Sequence, residues 1–208
     1  MKTKALIILL IVIPLFLQAS QFIPKDKYAY GQVFLLNNDT LSVYIKIEKI
    51  SDMQNGIQYV DSMGMEFKLK SIDAKGFSLI YPDDTMFFES RNDLDRALFH
   101  SKKKDCYFVH RVIKGKLSLY YFIESKLEME GLDQVLMEKS LYFVWYKNEW
   151  YPISKELFKN DFTKFGSVLK RDGLGDKTKT LLSDINAGKF KFEDTPLLIS
   201  KFAELILE

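Results

Sequence analysis

The chain has 208 residues, of which 47% are hydrophobic and 28% are charged, and it contains 10 Gly, 5 Pro, 1 Cys and 2 His. These proportions are those of an ordinary folded domain, and they exclude a collagen, a disordered tail and a disulfide scaffold. Lysine and arginine number 30 against 28 aspartate and glutamate, but Lys2 and Lys4 lie in an expected leader, so the remaining chain has about no net charge. Without a basic excess, nucleic acid and anionic lipid are not expected partners.

Residues 1–20 predict a cleaved signal peptide. Residues 1–4 are basic, residues 5–17 are apolar, and small and polar residues follow. The apolar run is shorter than the about 20 residues of a membrane-spanning helix, and no later segment is longer. We therefore expect cleavage after Ala19 or Ser20 and a periplasmic or secreted protein with no transmembrane segment. A retained leader that tethers the chain to the inner membrane is the alternative.

Residues 21–208 are expected to form a single domain, with a β-rich part over 21–153. The single Cys106 cannot form an intramolecular disulfide, so stability must come from a core. Short runs of period 2, spaced by about ten residues, favour an antiparallel sandwich or partial barrel over βαβ units. Strands are expected at 28–36, 41–47, 57–61, 66–70, 77–81, 86–90, 106–113, 117–123, 141–146 and 150–153. Segments 91–105 and 124–139 are interpreted as loops, the second with some hairpin character.

The period changes from 2 to about 3.6 after residue 153, which predicts about three C-terminal helices. Gly188 is a typical helix terminator, and Pro196 is typical of a first helical turn. The helices are expected over 154–169, 176–187 and from 194 or 195 onward. The predicted fold class is therefore α+β, with the helical part over 154–208 closing the β-rich part.

No pattern for catalysis, metal binding or cofactor binding emerges from the sequence. Cys106 and His110 lie about 13 Å apart on one strand, too far to share a metal ion or to act as a nucleophile and base. Segment 76–80 lacks the second glycine of a nucleophile elbow. Segment 173–178 lacks the spacing of a phosphate-binding loop. We expect no catalytic, cofactor or metal residue, and a protein that is not an enzyme.

Aromatic residues crowd the last predicted hairpin and form the candidate binding surface. If the helices bury this hairpin against the sheet, the aromatic residues are core. If the helices leave one face exposed, they form a platform for a glycan or a partner peptide. A hydrolase with an aromatic cleft and paired carboxylates is the alternative function, because carboxylate separation depends on the fold. The aromatic candidates are Tyr142, Trp145, Tyr146, Trp150 and Tyr151, and the carboxylates are Asp83, Asp84, Glu124, Glu128 and Glu130.

Several short segments resemble uncharacterised secreted proteins of Bacteroidetes-type envelopes. In that group a strand with a GDT-like turn, a KGF segment and a G-x-(I/V/L)-S-L-Y hairpin precede a short helical tail. The corresponding residues here are Asn38-Asp39-Thr40, Lys75-Gly76-Phe77 and Gly115-Lys116-Leu117-Ser118-Leu119-Tyr120, with Asn38 where a glycine is usual. The resemblance implies an exported envelope protein of unknown activity and carries over no catalytic residue.

The resemblance also implies three candidate O-glycosylation sites. Envelope proteins of that group are often modified at Asp-Ser/Thr followed by an apolar residue, which here gives Thr40, Ser62 and Thr85, all at predicted turns. Aspartate and threonine are also ordinary turn residues, and composition alone yields about one such match. The expected function is a non-enzymatic interaction or structural module whose partner is an envelope protein or a glycan.

Overall fold

The structure is a computed structural model that describes residues 27–94, 105–130 and 133–207. The expected signal peptide, with cleavage after Ala19 or Ser20, lies outside the described residues. Most of the expected 91–105 loop lies outside them as well.

Ten strands of the described chain form one antiparallel sheet, which confirms the expected β-rich N-terminal part. The sheet order is β10-β9-β8-β7-β6-β5-β1-β2-β3-β4, so each strand lies beside its neighbour in sequence except where β5 returns to β1. The strands are β1 Tyr28–Leu35, β2 Thr40–Lys46, β3 Gly56–Val60, β4 Glu66–Lys70, β5 Ala74–Ile80, β6 Thr85–Arg91, β7 Tyr107–Ile113, β8 Ser118–Glu130, β9 Asp133–Tyr146 and β10 Glu149–Ser154.

The predicted turn between β1 and β2 is confirmed, and Asn38 has a φ of 73° there, a left-handed conformation that asparagine tolerates. The return of β5 to β1 depends on Gly31. A Cβ atom at that position would lie 2.2 Å from the Ser78 carbonyl oxygen. Glycine therefore allows the close approach of these two strands.

The short helix α1 (Ile50–Met53) joins β2 to β3 and leads into a buried glutamine that connects distant strands. The register of β7 and β8 ends at the pair His110 and Tyr121, and its continuation would pair Phe108 with Ile123. Gln54 occupies that position instead. Its carbonyl oxygen accepts a hydrogen bond from the Phe108 N–H at 2.8 Å, and its Oε1 accepts one from the Ile123 N–H at 3.0 Å. Gln54 is 2% exposed, so these bonds satisfy groups that would otherwise be buried without partners.

Three helices follow the sheet, as the change of period predicts: α2 (Phe158–Arg171), α3 (Gly175–Asn186) and α4 (Thr195–Leu207). They pack on one face of β8, β9 and β10, where Leu119, Val144 and Ile153 form a core with the helix residues Phe162 and Phe202. At the junction with β10, Asp161 of α2 accepts hydrogen bonds from the Ser154 N–H and hydroxyl at 2.9 and 3.0 Å. The residues from 154 onward thus cover one face of the sheet and leave the opposite face of β8 to β10 to other contacts.

The expected loop over 124–139 is wrong, but the hairpin character expected of this segment is confirmed. β8 and β9 continue as a paired ribbon as far as Glu130 and Asp133, so the chain forms a long hairpin in place of a loop. In β8 charged residues alternate with apolar ones from Lys126 to Glu130, which is the period of 2 typical of a strand. Across all the described ranges, helices fall short of the length and apolarity required to traverse a bilayer.

Candidate interaction surface

The predicted aromatic hairpin places its residues on both faces of the sheet. Tyr142, Tyr146 and Tyr151 lie on the face that the helices cover. The Tyr142 ring centroid lies 5.1 Å from that of Phe192, and the Tyr146 and Tyr151 centroids lie 6.2 and 5.4 Å from that of Phe165. These three tyrosines are therefore part of the contact between sheet and helices.

Trp145 and Trp150 lie on the opposite face, which we call the outer face. They are directly opposed in the register of β9 and β10, and their ring centroids are 4.6 Å apart. The Tyr120 ring of β8 lies 5.1 Å from Trp150 on the same face. Both tryptophans are partly exposed. One half of the predicted aromatic hairpin therefore packs against the helices, and the other half packs at the margin of a second core cluster that includes Tyr120, Phe122 and Phe143.

Arg91, the last residue of β6, lies against all three of these rings. Its guanidinium carbon is 4.7 Å from the Trp150 centroid, 5.0 Å from that of Trp145 and 5.6 Å from that of Tyr120. These distances are within the range of cation–π attraction. The side chain of Arg91 is 20% exposed. The arginine is thus held by aromatic rings from three strands that are distant in sequence.

Carboxylates on β6 and just after it fix the charged end of Arg91. Asp93 accepts hydrogen bonds from Nε and Nη2 of Arg91 at 2.9 and 2.8 Å, which is the bidentate geometry that arginine favours. Glu89 accepts a hydrogen bond from the Tyr120 hydroxyl at 2.7 Å and forms an ion pair with Arg111 of β7. Burial and the bond to Glu89 raise the pKa of Tyr120, so its hydroxyl stays protonated and continues to donate.

We refer to these residues together as the Arg91 cluster: Glu89, Arg91, Asp93, Arg111, Tyr120, Trp145 and Trp150. Its two arginines and two carboxylates carry opposite charges in equal number, and each charged group has a partner of opposite sign. The cluster is therefore a neutral, ordered network with aromatic rings along one side.

Exposed apolar residues extend the outer face beyond the Arg91 cluster. Phe87 is opposite Arg111 in the register of β6 and β7, and the Arg111 guanidinium lies 5.2 Å from the Phe87 centroid. Ser78 of β5 pairs with Phe87 on one side and with Gln32 of β1 on the other, so these three residues share a face of the sheet. Residues two apart on a strand also share a face, which places Ile80 and Tyr30 on the same side as Phe87. All three apolar residues are exposed. Together with the Arg91 cluster, these three residues form a broad surface that has apolar and charged parts.

A groove lies elsewhere, between α2 and α3. It has a volume of about 710 Å³ and is lined by residues that include Thr163, Lys170, Asp176 and Lys179. The groups with the strongest pKa shifts, Tyr120 and His110, lie on the sheet and do not line this groove. Grouped histidine, cysteine and carboxylate side chains that could hold a metal ion are absent from the ranges that the structure describes. Thus the groove does not combine a cavity with perturbed titratable groups, the combination typical of an active site.

The carboxylates considered for a hydrolase do not gather around the tryptophans. Asp83 and Asp84 lie in the exposed turn between β5 and β6, and Glu124 lies on β8 beyond the strand pairing with β7. Glu128 and Glu130 are further along the same strand. The carboxylates that do meet the tryptophan face are Glu89 and Asp93, which sequence reasoning did not select.

The three candidate O-glycosylation sites are accessible. Thr40, Ser62 and Thr85 are all exposed, at or beside the turns that precede β2, β4 and β6. Exposure at a turn is required for modification, and it is also the ordinary position of such residues. Glycosylation stays a prediction.

Comparison with known proteins found no matching family model, no matching curated protein and no matching solved structure. The resemblance to secreted envelope proteins therefore stays a prediction, and the function must be argued from the surface itself.

Proposed function

We propose that the protein is an exported component of the cell envelope that acts as a non-enzymatic interaction module and binds another protein through its outer face. The observation that carries this proposal is the division of the aromatic hairpin. The helices cover the side with Tyr142, Tyr146 and Tyr151, whereas Trp145 and Trp150 face the other way beside Arg91. On that face the two tryptophans pack against a second core cluster that includes Tyr120 and Phe143, and their partly exposed edges border the exposed Phe87.

The residue types of the outer face favour a protein partner. Tryptophan, tyrosine and arginine are the residues that most often dominate the binding energy of protein interfaces. Here all three meet in one cluster whose conformation is fixed by hydrogen bonds before binding. A surface that is already ordered loses less conformational entropy on association. Phe87, Ile80 and Tyr30 add exposed apolar area next to it.

A glycan is the less favoured ligand for the same surface. Stacking on a sugar ring requires an accessible aromatic face, but Arg91 lies over the rings of Trp145 and Trp150 at 5.0 and 4.7 Å. A hydrolase is also less favoured. Both oxygens of Glu89 already have partners in Tyr120 and Arg111, so this carboxylate is a structural acceptor in the network.

The experiment compares two phenylalanines of equal exposure on different parts of the sheet. Phe87 on the outer face and Phe67 on β4 are each 37% exposed. The mature protein, its Phe87→Ser variant and its Phe67→Ser variant are immobilised and used to capture proteins from the envelope of the source organism, after circular dichroism has shown that all three fold. We expect the wild type and Phe67→Ser to retain the same protein and Phe87→Ser to lose most of it, since a well-placed interface residue contributes about 1–2 kcal/mol.

Two results would contradict the proposal. Equal capture by Phe87→Ser and Phe67→Ser would place the binding surface elsewhere. Captured material that survives protease and is released by glycosidase would make the ligand a glycan, which is the alternative that the sequence left open.

A further inference from the structure

The hairpin of β8 and β9 extends beyond the rest of the sheet as a two-stranded arm. β7 pairs with β8 as far as Tyr121, and β10 pairs with β9 from Leu141 onward. From the pair Ser125 and Glu138 to the pair Glu130 and Asp133, β8 and β9 pair with each other and with no third strand among the described residues. At about 3.4 Å per residue, this arm is about 20 Å long.

A two-stranded ribbon of this kind is marginally stable by itself in water, because three or more strands or a covering layer are needed to bury an apolar face. The arm nevertheless carries large apolar side chains on β9. Leu136 is 57% exposed and its neighbour Met137 is exposed as well. Within the described ranges, the backbone groups on its outer edges pair with no further strand, and such groups can pair with another chain. The arm therefore has both the edge and the apolar residues that a pairing strand would use.

We propose that the β9 edge of this arm pairs with the same edge of a second copy of the chain, antiparallel and about a two-fold axis at Leu136. In this register Leu136 faces Leu136 of the second copy, Val135 faces Met137, and Asp133 faces Lys139. The apolar residues thus meet apolar residues, and opposite charges meet at both ends. The result is a four-stranded ribbon, with the two β9 strands in its centre, in a dimer of the commonest symmetry.

Charge selects β9 over β8 for this contact. The sequence of β8 places Glu124, Lys126, Glu128 and Glu130 at alternate positions. An antiparallel pairing of two β8 strands about Leu127 would set Lys126 against Glu128 but also Glu124 against Glu130, and like charges that face each other destabilise a sheet. The β9 register about Leu136 contains no pair of like charges. The exposed ion pair of Lys139 with Glu156 at 3.1 Å is weak enough to be exchanged for the cross-strand contact with Asp133.

The two outermost strands of the sheet are less suited to pairing than the arm. β10 contains Pro152, which has no N–H to donate, and α2 packs beside this strand. β4 carries Lys68 and Lys70, residues that typically protect an edge from association. The segment 134–137 of β9 has no charged residue. The proposed contact uses neither Phe87 nor the Arg91 cluster, so it is independent of the proposed binding function.

Disulfide trapping tests the register. Directly opposed residues of antiparallel strands have Cα atoms about 4.5–5.5 Å apart, within the range that a disulfide requires. In a Cys106→Ser background, which removes the native thiol, Leu136→Cys should form a covalent dimer on mild oxidation. Glu138→Cys is the matched control on the same strand. Its thiol would lie four residues, about 13 Å, from its counterpart and should leave the chain monomeric.

Molar mass in solution tests the dimer itself. Light scattering after size-exclusion chromatography should give twice the mass of the mature chain for the wild type and the monomer mass for Leu136→Asp, which places two carboxylates opposite each other. Leu36→Asp is the control, because Leu36 is 59% exposed in the turn before β2, and it should remain a dimer. A wild type that is monomeric at every concentration, a Leu136→Asp variant that stays dimeric, or equal trapping at positions 136 and 138 would overturn the proposal.

Discussion

His110 should make the stability of the fold depend on pH between neutrality and pH 5. This residue lies in β7, opposite Tyr121 of β8 and Phe88 of β6, and its ring is 5.1 Å from that of Phe88. Burial lowers the pKa of His110 from 6.5 to about 4, and the charge of Asp84 opposes that shift only in part. The sequence predicted a strand over 106–113, and the structure places His110 within β7.

The sign of the effect follows from proton binding in the two states. The unfolded chain takes up a proton at this histidine as the pH falls below about 6.5, whereas the folded chain keeps it neutral down to about pH 4. Protonation therefore stabilises the unfolded state over this interval. The free energy of unfolding contributed by His110 should fall by about 2 kcal/mol between pH 7 and pH 5.

The assay is urea unfolding of the wild type and of His110→Gln at pH 7 and pH 5. Glutamine does not titrate, and all carboxylates and the other histidine are common to both proteins. The loss of stability on acidification should therefore be about 2 kcal/mol smaller in His110→Gln, whatever the substitution does at pH 7. Identical pH dependence in the two proteins would refute the assignment of this histidine as partly buried and neutral.

Three further predictions concern the Arg91 cluster, the buried glutamine and processing. Trp145 and Trp150 are the 2 tryptophans of the chain, so Arg91→Ala should shift the intrinsic tryptophan fluorescence and lower the free energy of unfolding by about 2 kcal/mol. The control variant Lys147→Ala should leave the spectrum unchanged. An unaltered spectrum of Arg91→Ala would contradict the contacts of Arg91 with the two rings. Gln54→Leu should lower stability in urea by about 2 kcal/mol, since it leaves the Ile123 N–H buried without an acceptor, and an unchanged unfolding midpoint would be evidence against that role. The intact mass of protein purified from the source organism should correspond to a chain that begins at residue 20 or 21 and carries added hexose. The mass of the unmodified mature chain would refute glycosylation. A mass that includes Met1 would refute cleavage of the signal peptide. The three modification sites expected are Thr40, Ser62 and Thr85.

The strands and helices were predictable where local pattern and tertiary contacts agree. In β2 apolar and polar residues alternate, and in α2 Phe158, Phe162 and Phe165 follow a helical spacing. Both patterns indicate directly which face of the element is buried. The outer parts of β8 and β9 are rich in charged residues and pair with no third strand among the described residues. Their charged residues were therefore interpreted as a loop, although the alternation of β8 was visible. Helix α1 has four residues, about one helical turn, which is too short for a period of 3.6 to repeat.

The candidate surface was predictable only in part, because its residues meet through strand register. Trp145 and Trp150 are close in sequence, so their density was visible. Arg91 and Tyr120 come from strands that precede them by dozens of residues, and Arg91 was assigned to a polar loop. The signal that was available is the period of 2 at Phe87, Glu89 and Arg91, which places these three side chains on one face of β6. Nothing in the sequence predicts that Gln54 joins β7 and β8, since this contact depends on where the two strands separate.

Site-specific photo-crosslinking in the source organism tests most directly whether the outer face binds a protein. A benzophenone amino acid replaces Phe87 in one protein and Phe67 in another, and the two positions have the same 37% exposure. We expect one discrete crosslinked protein from position 87 and none from position 67. No product from position 87, or the same product from both positions, would contradict it.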